Sequence, residues 1–260
     1  MKRRFPALLM VLLLLPGLTV RAEALCDSAS AAMLMDADTG EVLFARRADD
    51  PMRIASTTKV MTALLVIEHG GLRETVAVKP EHLPEGSSMY LKAGEQITVE
   101  TLLYGLLLCS GNDAAMVLAD YCCGSAAAFA AKMNARAAEL GMQNTHFENP
   151  SGLDGEDHHS TARDMALLLC CAMENPTLRR IISTREVQTG GRSMSNHNKL
   201  LWQQEGCIGG KTGYTRAAGR TLVSYAVQNG RRLAAVTLCD GNDWQDHRDL
   251  FSYGFGRKSA

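Results

Sequence analysis

The chain has 260 residues, of which 46% are hydrophobic, and its 27 Lys and Arg residues nearly balance 28 Asp and Glu residues. This length allows one large domain or two small ones, and the composition allows a sizeable core. Because no large basic excess is available to neutralise phosphates, the charge gives no support for a nucleic-acid-binding surface. An anionic small substrate is compatible with it, since such a substrate needs only one or two placed cations.

The N-terminal residues have the pattern of a secretory signal peptide. A basic segment, Lys2 to Arg4, precedes an apolar run at 5–20, and Ala22-Glu23-Ala24 then resembles a cleavage site. An uncleaved membrane anchor is the alternative, but the run is shorter than the roughly 20 residues that span a bilayer and contains two prolines. We therefore expect residues 1–24 to be removed and the protein to be exported, soluble and without a stable membrane anchor.

The chain contains 8 cysteines, an even number that permits disulfides in an exported protein. Most of them lie inside apolar runs, such as those at 106–109 and 167–170, which is typical of buried free thiols that act as small hydrophobic residues. No CxxC pair occurs, and the acid and histidines at 157–159 have no partner cluster at zinc-like spacing. We therefore expect no metal and no cofactor, and we interpret 157–159 as a polar loop.

The N-terminal half alternates turn signals with short apolar segments. Its predicted elements are a hairpin with strands at 32–36 and 42–47 about a turn at 38–40, a helix at 54–69 stopped by two glycines, short strands and loops at 75–100, and an apolar helix at 101–109 that breaks at 110–112.

The second half changes from helical to strand-like patterns. The predicted helices are one that starts at Asn112, one at 125–140 with Ser125 as its N-cap, and one opened by a capping box at 161–164. After Pro176 the composition turns toward strands, with a strand at 208–212, a hairpin of 220–227 and 231–238 about Asn229-Gly230, and a last helix at 244–255. This order predicts an α+β fold, in which an antiparallel sheet built from both chain ends is flanked by helices and carries an inserted, mostly helical region.

Three short motifs follow one another in the chain. They are Ser56-Thr57-Thr58-Lys59, Ser110-Gly111-Asn112 and Lys211-Thr212-Gly213. Each alone has an ordinary structural explanation: a helix N-cap, a helix break and the exposed end of a strand. Together, in this order and on these predicted elements, they indicate a serine nucleophile with a lysine base.

The spacing of Ser56 and Lys59 suits nucleophilic catalysis. A serine hydroxyl is a poor nucleophile until a nearby base takes its proton, and residues three apart lie on one face of a helix. Lysine can act as that base when burial or a second cation lowers its pKa, and Lys211 could be that cation. A helix N-terminus also offers free backbone amides to an oxyanion.

The other motif residues offer groups that suit substrate binding and proton transfer. Ser110 can both donate and accept, so it can pass a proton between Lys59 and a leaving amine. The Asn112 amide can donate a hydrogen bond to a substrate peptide bond and accept one from it. Lys211 and Thr212 offer a point charge and a hydrogen-bond donor to an anionic group. Arg216 and Arg220 could assist such binding or be surface charges, and Trp244 is interpreted as a packing residue.

These residues resemble those of the D-alanyl-D-alanine carboxypeptidases, the low-molecular-mass penicillin-binding proteins. The resemblance covers about residues 31–255, and it extends to the segments at 149–153, 160–166, 196–201 and 211–215. It implies a fold like that of β-lactamases and transpeptidases.

The resemblance also implies a substrate and a mechanism. Ser56 would attack the bond between two terminal D-alanines of a peptidoglycan stem peptide, and water would hydrolyse the acyl-enzyme. The backbone amides of Ser56 and Tyr214 would form the oxyanion hole, and Lys211 and Thr212 would lie near the terminal carboxylate. β-Lactams would acylate the same serine.

Two features depart from the usual family pattern. Many members carry a β-rich domain and an amphipathic anchor after the catalytic domain, whereas here we expect one catalytic domain at 25–260 with neither. Gly210 precedes Lys211 where the family usually has a larger apolar residue, so this strand is expected to be looser.

Three other functions fit parts of the sequence. A DD-endopeptidase acting on cross-links would use the same chemistry. A class A β-lactamase would need a glutamate for deacylation, for which Glu148 is the candidate by position, but the residues after it resemble the carboxypeptidases and Gly111 stands where those enzymes have Asp. A non-catalytic β-lactam sensor is disfavoured because Ser56, Lys59 and Lys211 are all present.

Overall fold

The computed structural model describes residues 25–257, so the predicted signal peptide lies outside the described residues. Its main sheet has five strands in the order β2-β1-β9-β8-β7, and every neighbouring pair is antiparallel. The strands are β1 (Ala29–Asp36), β2 (Val42–Arg46), β7 (Cys207–Thr215), β8 (Gly219–Gln228) and β9 (Arg231–Asp240). Both chain ends therefore build one sheet, which confirms the predicted fold class.

The first strand lies inside the sheet rather than at its edge. β1 pairs with β2 on one side and with β9 on the other, in a register that runs from Ala29 opposite Asp240 to Asp36 opposite Leu233. Because both neighbours are present, alternate residues of β1 point to two buried faces. This position makes the sheet depend on contacts between residues that are far apart in sequence.

Within residues 25–257, eight α-helices surround this sheet or fill the insertion between β2 and β7. They are α1 (Lys59–His69), α2 (Val99–Leu108), α3 (Asn112–Cys123), α4 (Ala126–Glu139), α5 (Ala162–Glu174), α6 (Pro176–Ile182), α7 (Leu200–Gln203) and α8 (Asp243–Gly256). Two small hairpins complete the insertion: β3 (Thr75–Ala77) with β4 (Gln96–Thr98), and β5 (Glu186–Thr189) with β6 (Arg192–Ser195).

The core has two layers, one on each face of the main sheet. Met33 and Met35 of β1 belong to the large cluster that the inserted helices complete. Ala32 and Leu34 belong to a smaller cluster with Leu250 of α8. The period-two alternation of β1 thus separates the helical insertion from the C-terminal helix.

The predicted caps explain where two helices begin. Ser125 accepts a hydrogen bond from the Ala128 amide at the start of α4. Thr161 accepts one from the Asp164 amide at the start of α5. Each side chain satisfies a backbone N–H that has no partner within the helix, as the sequence predicts.

The expected return to strands directly after Pro176 is wrong. Residues Pro176–Ile182 form α6, and the Asn175 side chain caps it by accepting hydrogen bonds from the Thr177 and Leu178 amides. Proline suits the first position of a helix because its missing N–H is not needed there. Strand structure resumes only with β5.

The cysteines and the helix lengths complete the description. All eight cysteines are free; Cys26 and Cys207 are buried and the other six are partly exposed. Within residues 25–257 no single helix is both long and apolar enough to span a membrane. Of the helices in this range, only α3 and α4 taken together have the length and apolar composition of a span, and the two helices meet at an angle of 82°.

A pair of carboxyl groups joins β9 to α8 beside the start of β1. The Ser28 hydroxyl lies 2.6 Å from Asp240 Oδ1 and 2.8 Å from Asp246 Oδ2. The Asp240 side chain is buried, and its Oδ2 has no hydrogen-bond partner among the described residues. Burial and the charge of Asp240 raise the pKa of Asp246 to about 6.

This pair predicts that folding stability decreases with rising pH. The pKa of Asp246 in the folded state lies above its ordinary value of 3.8, so the folded state binds this proton more tightly than the unfolded chain does. The resulting contribution to the free energy of unfolding is complete below about pH 4 and is lost as the pH rises through about 6. Asp246→Asn should flatten this dependence and raise the free energy of unfolding at pH 7 by on the order of 1 kcal/mol. Urea unfolding at several pH values measures both effects. The exposed Glu41→Gln is the control, and an unchanged slope in Asp246→Asn would contradict the assignment.

Candidate active site

The three motifs meet at one cleft of about 490 Å³ on the side of the sheet formed by β7. Its lining residues are Ser56, Ser87, Ser110, His197, Thr212, Gly213, Tyr214, Arg220, Asp243 and Trp244. The remaining polar motif residues are buried close by: Lys59, Asn112 and Lys211 are 0%, 3% and 1% exposed. The structure thus brings together all seven residues that the sequence singled out.

Ser56 lies in a tight turn rather than in a regular helix. Residues Ala55–Thr58 form a single 3₁₀ turn that leads into α1, and Ala55 has a left-handed φ of +46°. The Ile54 carbonyl accepts hydrogen bonds from the Thr57 hydroxyl at 2.6 Å and from the Thr221 hydroxyl of β8 at 3.0 Å. These bonds hold the turn against the sheet, so the nucleophile has a fixed place.

Two glycines allow other backbones to approach this turn. A Cβ atom at Gly213 would lie 2.9 Å from the Ser56 nitrogen, and one at Gly152 would lie 2.0 Å from the Ala55 carbonyl oxygen. Gly152 also has a φ of +83°, which side chains rarely allow. The end of β7 and the loop that contains Gly152 can therefore lie directly against the nucleophile.

Lys59 Nζ contacts three oxygen atoms. It lies 2.8 Å from Ser56 Oγ, 2.8 Å from Asn112 Oδ1 and 2.5 Å from the Ser151 carbonyl oxygen. The last two oxygens can only accept hydrogen bonds. When the amine is neutral, its two N–H groups are therefore used by Asn112 and Ser151, and its lone pair faces the Ser56 hydroxyl.

The surroundings of Lys59 favour this neutral form. Burial lowers the pKa of Lys59 well below 10.5, and the positive charge of Lys211 lowers it further, whereas Asp113 acts in the opposite direction. A charged amine in an apolar interior loses its hydration, so the neutral base costs less free energy there. The predicted pairing of Lys59 with Ser56, and the predicted influence of Lys211, thus have a geometric basis.

The Asn112 amide is engaged at both ends. Its Nδ2 donates to the Glu85 carbonyl at 2.9 Å, which fixes Oδ1 as the atom that faces Lys59. Its backbone nitrogen donates to the Ser87 carbonyl at 2.7 Å. Asn112 therefore joins the base to one wall of the cleft, and its predicted contact with substrate stays a prediction.

Ser110 lies at the break between α2 and α3. It has a left-handed φ of +61° and is 5% exposed. The following residue, Gly111, donates its amide to the Gly105 carbonyl at 3.0 Å, which closes the break. This turn places Ser110 at the cleft that contains Ser56, and its predicted role as a proton relay stays a prediction.

Lys211 lies beneath the floor of the cleft. Its ammonium group donates to the Thr212 carbonyl at 2.7 Å, and burial lowers its pKa to about 7. The side chain of Thr212 lines the cleft itself. Lys211 is thus buried close to the site, and Thr212 is the residue of this motif that lines the cleft beside Gly213.

The expectation that Gly210 loosens this strand is wrong. β7 pairs with β8 without interruption from Gly209 to Thr215, and the irregularity lies before it, between Cys207 and Gly209. Gly210 has a φ of +150°, and a Cβ there would lie 2.4 Å from the Val223 carbonyl oxygen. Glycine lets β7 approach β8 closely, which holds Lys211 in register.

The side chains of Arg220, Asp243 and Trp244 form one wall of the cleft, so Trp244 is more than the packing residue that the sequence predicts. Arg220 Nη2 donates to Asp243 Oδ1 at 2.5 Å and Nε donates to Oδ2 at 3.1 Å, while the guanidinium lies 5.6 Å from the ring centre of Trp244. Arg220 stands opposite Tyr214 in the β7–β8 register. Because of this register Arg220 lies in the cleft. Arg216 does not line the cleft.

Ser151 is the other group that sequence reasoning missed. Its carbonyl oxygen, rather than its side chain, contacts Lys59, so residue identity alone carried no information about it. The turn that presents it is built by Asn149, whose Oδ1 accepts hydrogen bonds from the amides of Ser151 and Gly152 at 3.1 and 2.8 Å. The turn-forming sequence at 149–152 was the available signal.

The residues at 157–159 occupy a loop, as expected, but His158 is buried within it. Its ring lies between Thr58 and the Glu148 amide, and burial lowers its pKa to about 4. In the described part of the chain, no three or more His, Cys, Asp or Glu side chains are grouped to hold a metal ion.

Comparison with known proteins identifies the family. The peptidase S11 family, described as D-alanyl-D-alanine carboxypeptidase, matches residues 19–242. The D-alanyl-D-alanine carboxypeptidase DacB2 of Mycobacterium tuberculosis is 38% identical over 86% of this chain and 81% of its own length. DacF of Bacillus subtilis is 35% identical over 84% of this chain, which spans only 59% of that relative.

Solved structures resemble the fold closely. A D-alanyl-D-alanine carboxypeptidase from Mycobacterium tuberculosis has a TM-score of 0.84 and 36% identity, covering 89% of this chain and 92% of its own. A variant of the Streptomyces K15 DD-transpeptidase has a TM-score of 0.85 and 30% identity, covering 88% of this chain and 98% of its own. Both the sequence match and these structures agree with the motif geometry, and this chain belongs to the D-alanyl-D-alanine carboxypeptidase family.

Proposed function

We propose that this protein is a serine-type D-Ala-D-Ala carboxypeptidase that removes the terminal D-alanine from peptidoglycan stem peptides. The observation that carries this proposal is the contact between Lys59 Nζ and Ser56 Oγ, at 2.8 Å, in a cleft whose wall also carries a cation. The basic and apolar residues at the N-terminus support an extracytoplasmic location, where this substrate is found.

Acylation begins when Ser56 Oγ attacks the carbonyl carbon between the two D-alanines. Lys59 takes the hydroxyl proton as the Oγ–C bond forms, because its lone pair faces that hydroxyl. The backbone amides of Ser56 and Tyr214 stabilise the negative oxygen, a contribution of about 3 kcal/mol for each good donor. Gly213 permits this arrangement, since it lets the end of β7 lie beside the Ser56 nitrogen.

Collapse of this intermediate breaks the C–N bond. The leaving amine of D-alanine needs a proton, and Ser110 can pass to it the proton that Lys59 took from Ser56. Water then attacks the ester carbonyl, and Lys59 takes a proton from that water. Lys59 donates this proton to Ser56 Oγ as the ester C–O bond breaks. A β-lactam presents an equivalent carbonyl and would acylate the same serine.

The wall formed by β7, β8 and the start of α8 suits the substrate's terminal carboxylate. Lys211 and Thr212 supply a buried charge and a hydroxyl, and Arg220 adds a guanidinium that is partly exposed to the cleft. Asp243 uses one edge of that guanidinium, so the other N–H groups are available to an anion. The Asp243 carboxylate on this wall is therefore already paired with Arg220.

Glu148, the glutamate that the β-lactamase alternative requires, is exposed and does not line the cleft.

The main prediction concerns the reaction itself. Incubation of the mature protein with a stem pentapeptide should release free D-alanine, and Ser56→Ala should abolish both this release and covalent labelling by a fluorescent penicillin. A coupled D-alanine assay and gel fluorescence measure the two effects. Folded wild-type protein that releases no D-alanine would refute the proposal.

A cross-linked stem-peptide dimer is the second substrate. Its cleavage releases two stem peptides rather than D-alanine, so chromatographic separation of these products measures the rate. Faster cleavage of the dimer than of the pentapeptide would favour the endopeptidase. Rapid turnover of penicillin would instead favour the β-lactamase.

The electrostatics of Lys59 predict how acylation depends on pH. The acylation rate should rise with pH as Lys59 loses its proton, and Lys211→Gln should move this acid limb upward by about one pH unit, because it removes a nearby positive charge. Lys211→Arg, which keeps a cation, is the matched control. The measurement is the acylation rate at saturating penicillin, and identical limbs in all three proteins would contradict the coupling.

Arg220 predicts a selective loss of substrate binding. Arg220→Gln should raise KM for a pentapeptide with a free terminal carboxylate about tenfold or more, since a hydrogen bond to a charged group contributes roughly 1.5–3 kcal/mol. The same peptide with a C-terminal amide should be little affected. Arg216→Gln, an exposed arginine outside the cleft, is the control. Equal effects on acid and amide peptides would exclude a role for Arg220 in carboxylate recognition.

A further inference from the structure

A loop at residues 146–160 folds over the start of α1. Its two ends are joined by His146 and His159, whose backbones exchange hydrogen bonds of 2.9 and 3.0 Å. Ser160 extends this connection by pairing with Met52, just before the nucleophile's turn. The loop is therefore closed at its base and anchored beside Ser56.

The tip of this loop contacts the catalytic base. The Ser151 carbonyl accepts a hydrogen bond from Lys59, and the Pro150 carbonyl accepts one from the Thr62 hydroxyl at 2.7 Å, one turn further along α1. The direction of the Lys59 lone pair depends on where the Ser151 oxygen lies, because that oxygen uses one of the two N–H groups of the neutral amine. The position of the loop is thus part of the geometry of the base.

His158 connects the loop to α1 inside this closed segment. It is 4% exposed, and its Nδ1 accepts a hydrogen bond from the Glu148 amide at 3.1 Å. A backbone N–H can only donate, so Nδ1 carries no proton and Nε2 carries the ring proton instead. Nε2 therefore donates to the Thr58 hydroxyl, 2.8 Å away.

The surroundings of His158 fix the orientation of its ring. Phe147 packs against it edge-to-face, with ring centres 5.8 Å apart. Thr58, its partner on the other side, directly precedes Lys59 and is itself buried. One rigid side chain therefore spans the gap between the loop backbone and the residue next to the base, while lying outside the cleft.

We infer that His158 is a positioning residue for acylation: it holds the loop at 146–160 at the distance from α1 that places the Ser151 carbonyl on Lys59. This inference rests on the proposed function, because it concerns the base of that reaction. Without the contact to Thr58, the loop tip is free to shift by a fraction of an ångström. The Lys59 amine then rotates away from Ser56, and attack slows although the binding cleft is unchanged.

The test compares two substitutions that each keep half of the histidine's contacts. In His158→Gln the amide nitrogen can reach the Nε2 position and still donate to Thr58. In His158→Asn the shorter side chain can satisfy the Glu148 amide but not Thr58. Stopped-flow labelling with a fluorescent penicillin gives the acylation rate at saturation and the apparent Kd separately.

We expect His158→Asn to slow acylation at least tenfold with an unchanged Kd, and His158→Gln to stay within about threefold of wild type. Thr58→Val, which removes the hydroxyl at similar volume, should behave like His158→Asn. Combining Thr58→Val with His158→Asn should add little further loss, since both remove one contact. If His158→Asn does not fold, Thr58→Val and its combination with His158→Gln provide the same comparison.

His247→Asn is the matched control for general loss of stability. His247 is also buried, contacts Ser224 and Thr237 beneath α8, and does not line the cleft. It should lower the melting temperature without slowing acylation. Slow acylation in His247→Asn, equal rates in the two His158 variants, or a wild-type rate in His158→Asn would each overturn the inference. A wild-type protein that penicillin does not label would instead refute the proposed function.

Discussion

The burial of Lys59 is the constraint on which the site depends. An amine that is 0% exposed loses its hydration, and it is tolerated because three oxygens surround it and because the neutral form is favoured there. Each of those oxygens comes from a different part of the chain: the turn before α1, the start of α3 and the loop at 146–160. Satisfying one buried nitrogen therefore fixes the mutual positions of three segments, and the nucleophile is one of them.

The sheet supplies the second half of the arrangement. β7 carries Thr212 and Gly213 to the turn that contains Ser56, and the register with β8 places Arg220 beside Tyr214. The close approach of β7 depends on missing side chains, since a Cβ at Gly213 would lie 2.3 Å from the Thr221 hydroxyl. Close packing of β7 against β8 and the approach of β7 to Ser56 thus both require glycine at position 213.

Sequence patterns predicted the local parts of this structure and missed the parts that depend on register or on main-chain atoms. The contact between Ser56 and Lys59 spans three residues, a spacing that brings two side chains together both in an α-helix and in the 3₁₀ turn that Ser56 occupies. The place of Arg220 depends on which residue of β7 it faces, which spacing does not reveal. Ser151 acts through a carbonyl that every residue has.

The helix at Pro176–Ile182, which was not predicted, begins with typical sequence signals. Asn175 followed by Pro176 is a typical start of a helix, and Leu178, Ile181 and Ile182 have helical spacing. The change toward strand-like composition further along the chain obscured this short helix. The fold class and the seven candidate residues did not depend on it, because the motifs lie on other elements.

The central place of β1 has a consequence for how the protein is made. Ala29–Asp36 is synthesised before the whole helical insertion, whereas its partner on one side, β9, is synthesised only after that insertion. The hairpin with β2 can form early, but a row of backbone N–H and C=O groups on β1 then stays unpaired until Arg231–Asp240 has emerged. Such a topology closes its sheet late and slowly, so β1, β2 and the helical insertion must be kept from aggregating until β9 is available.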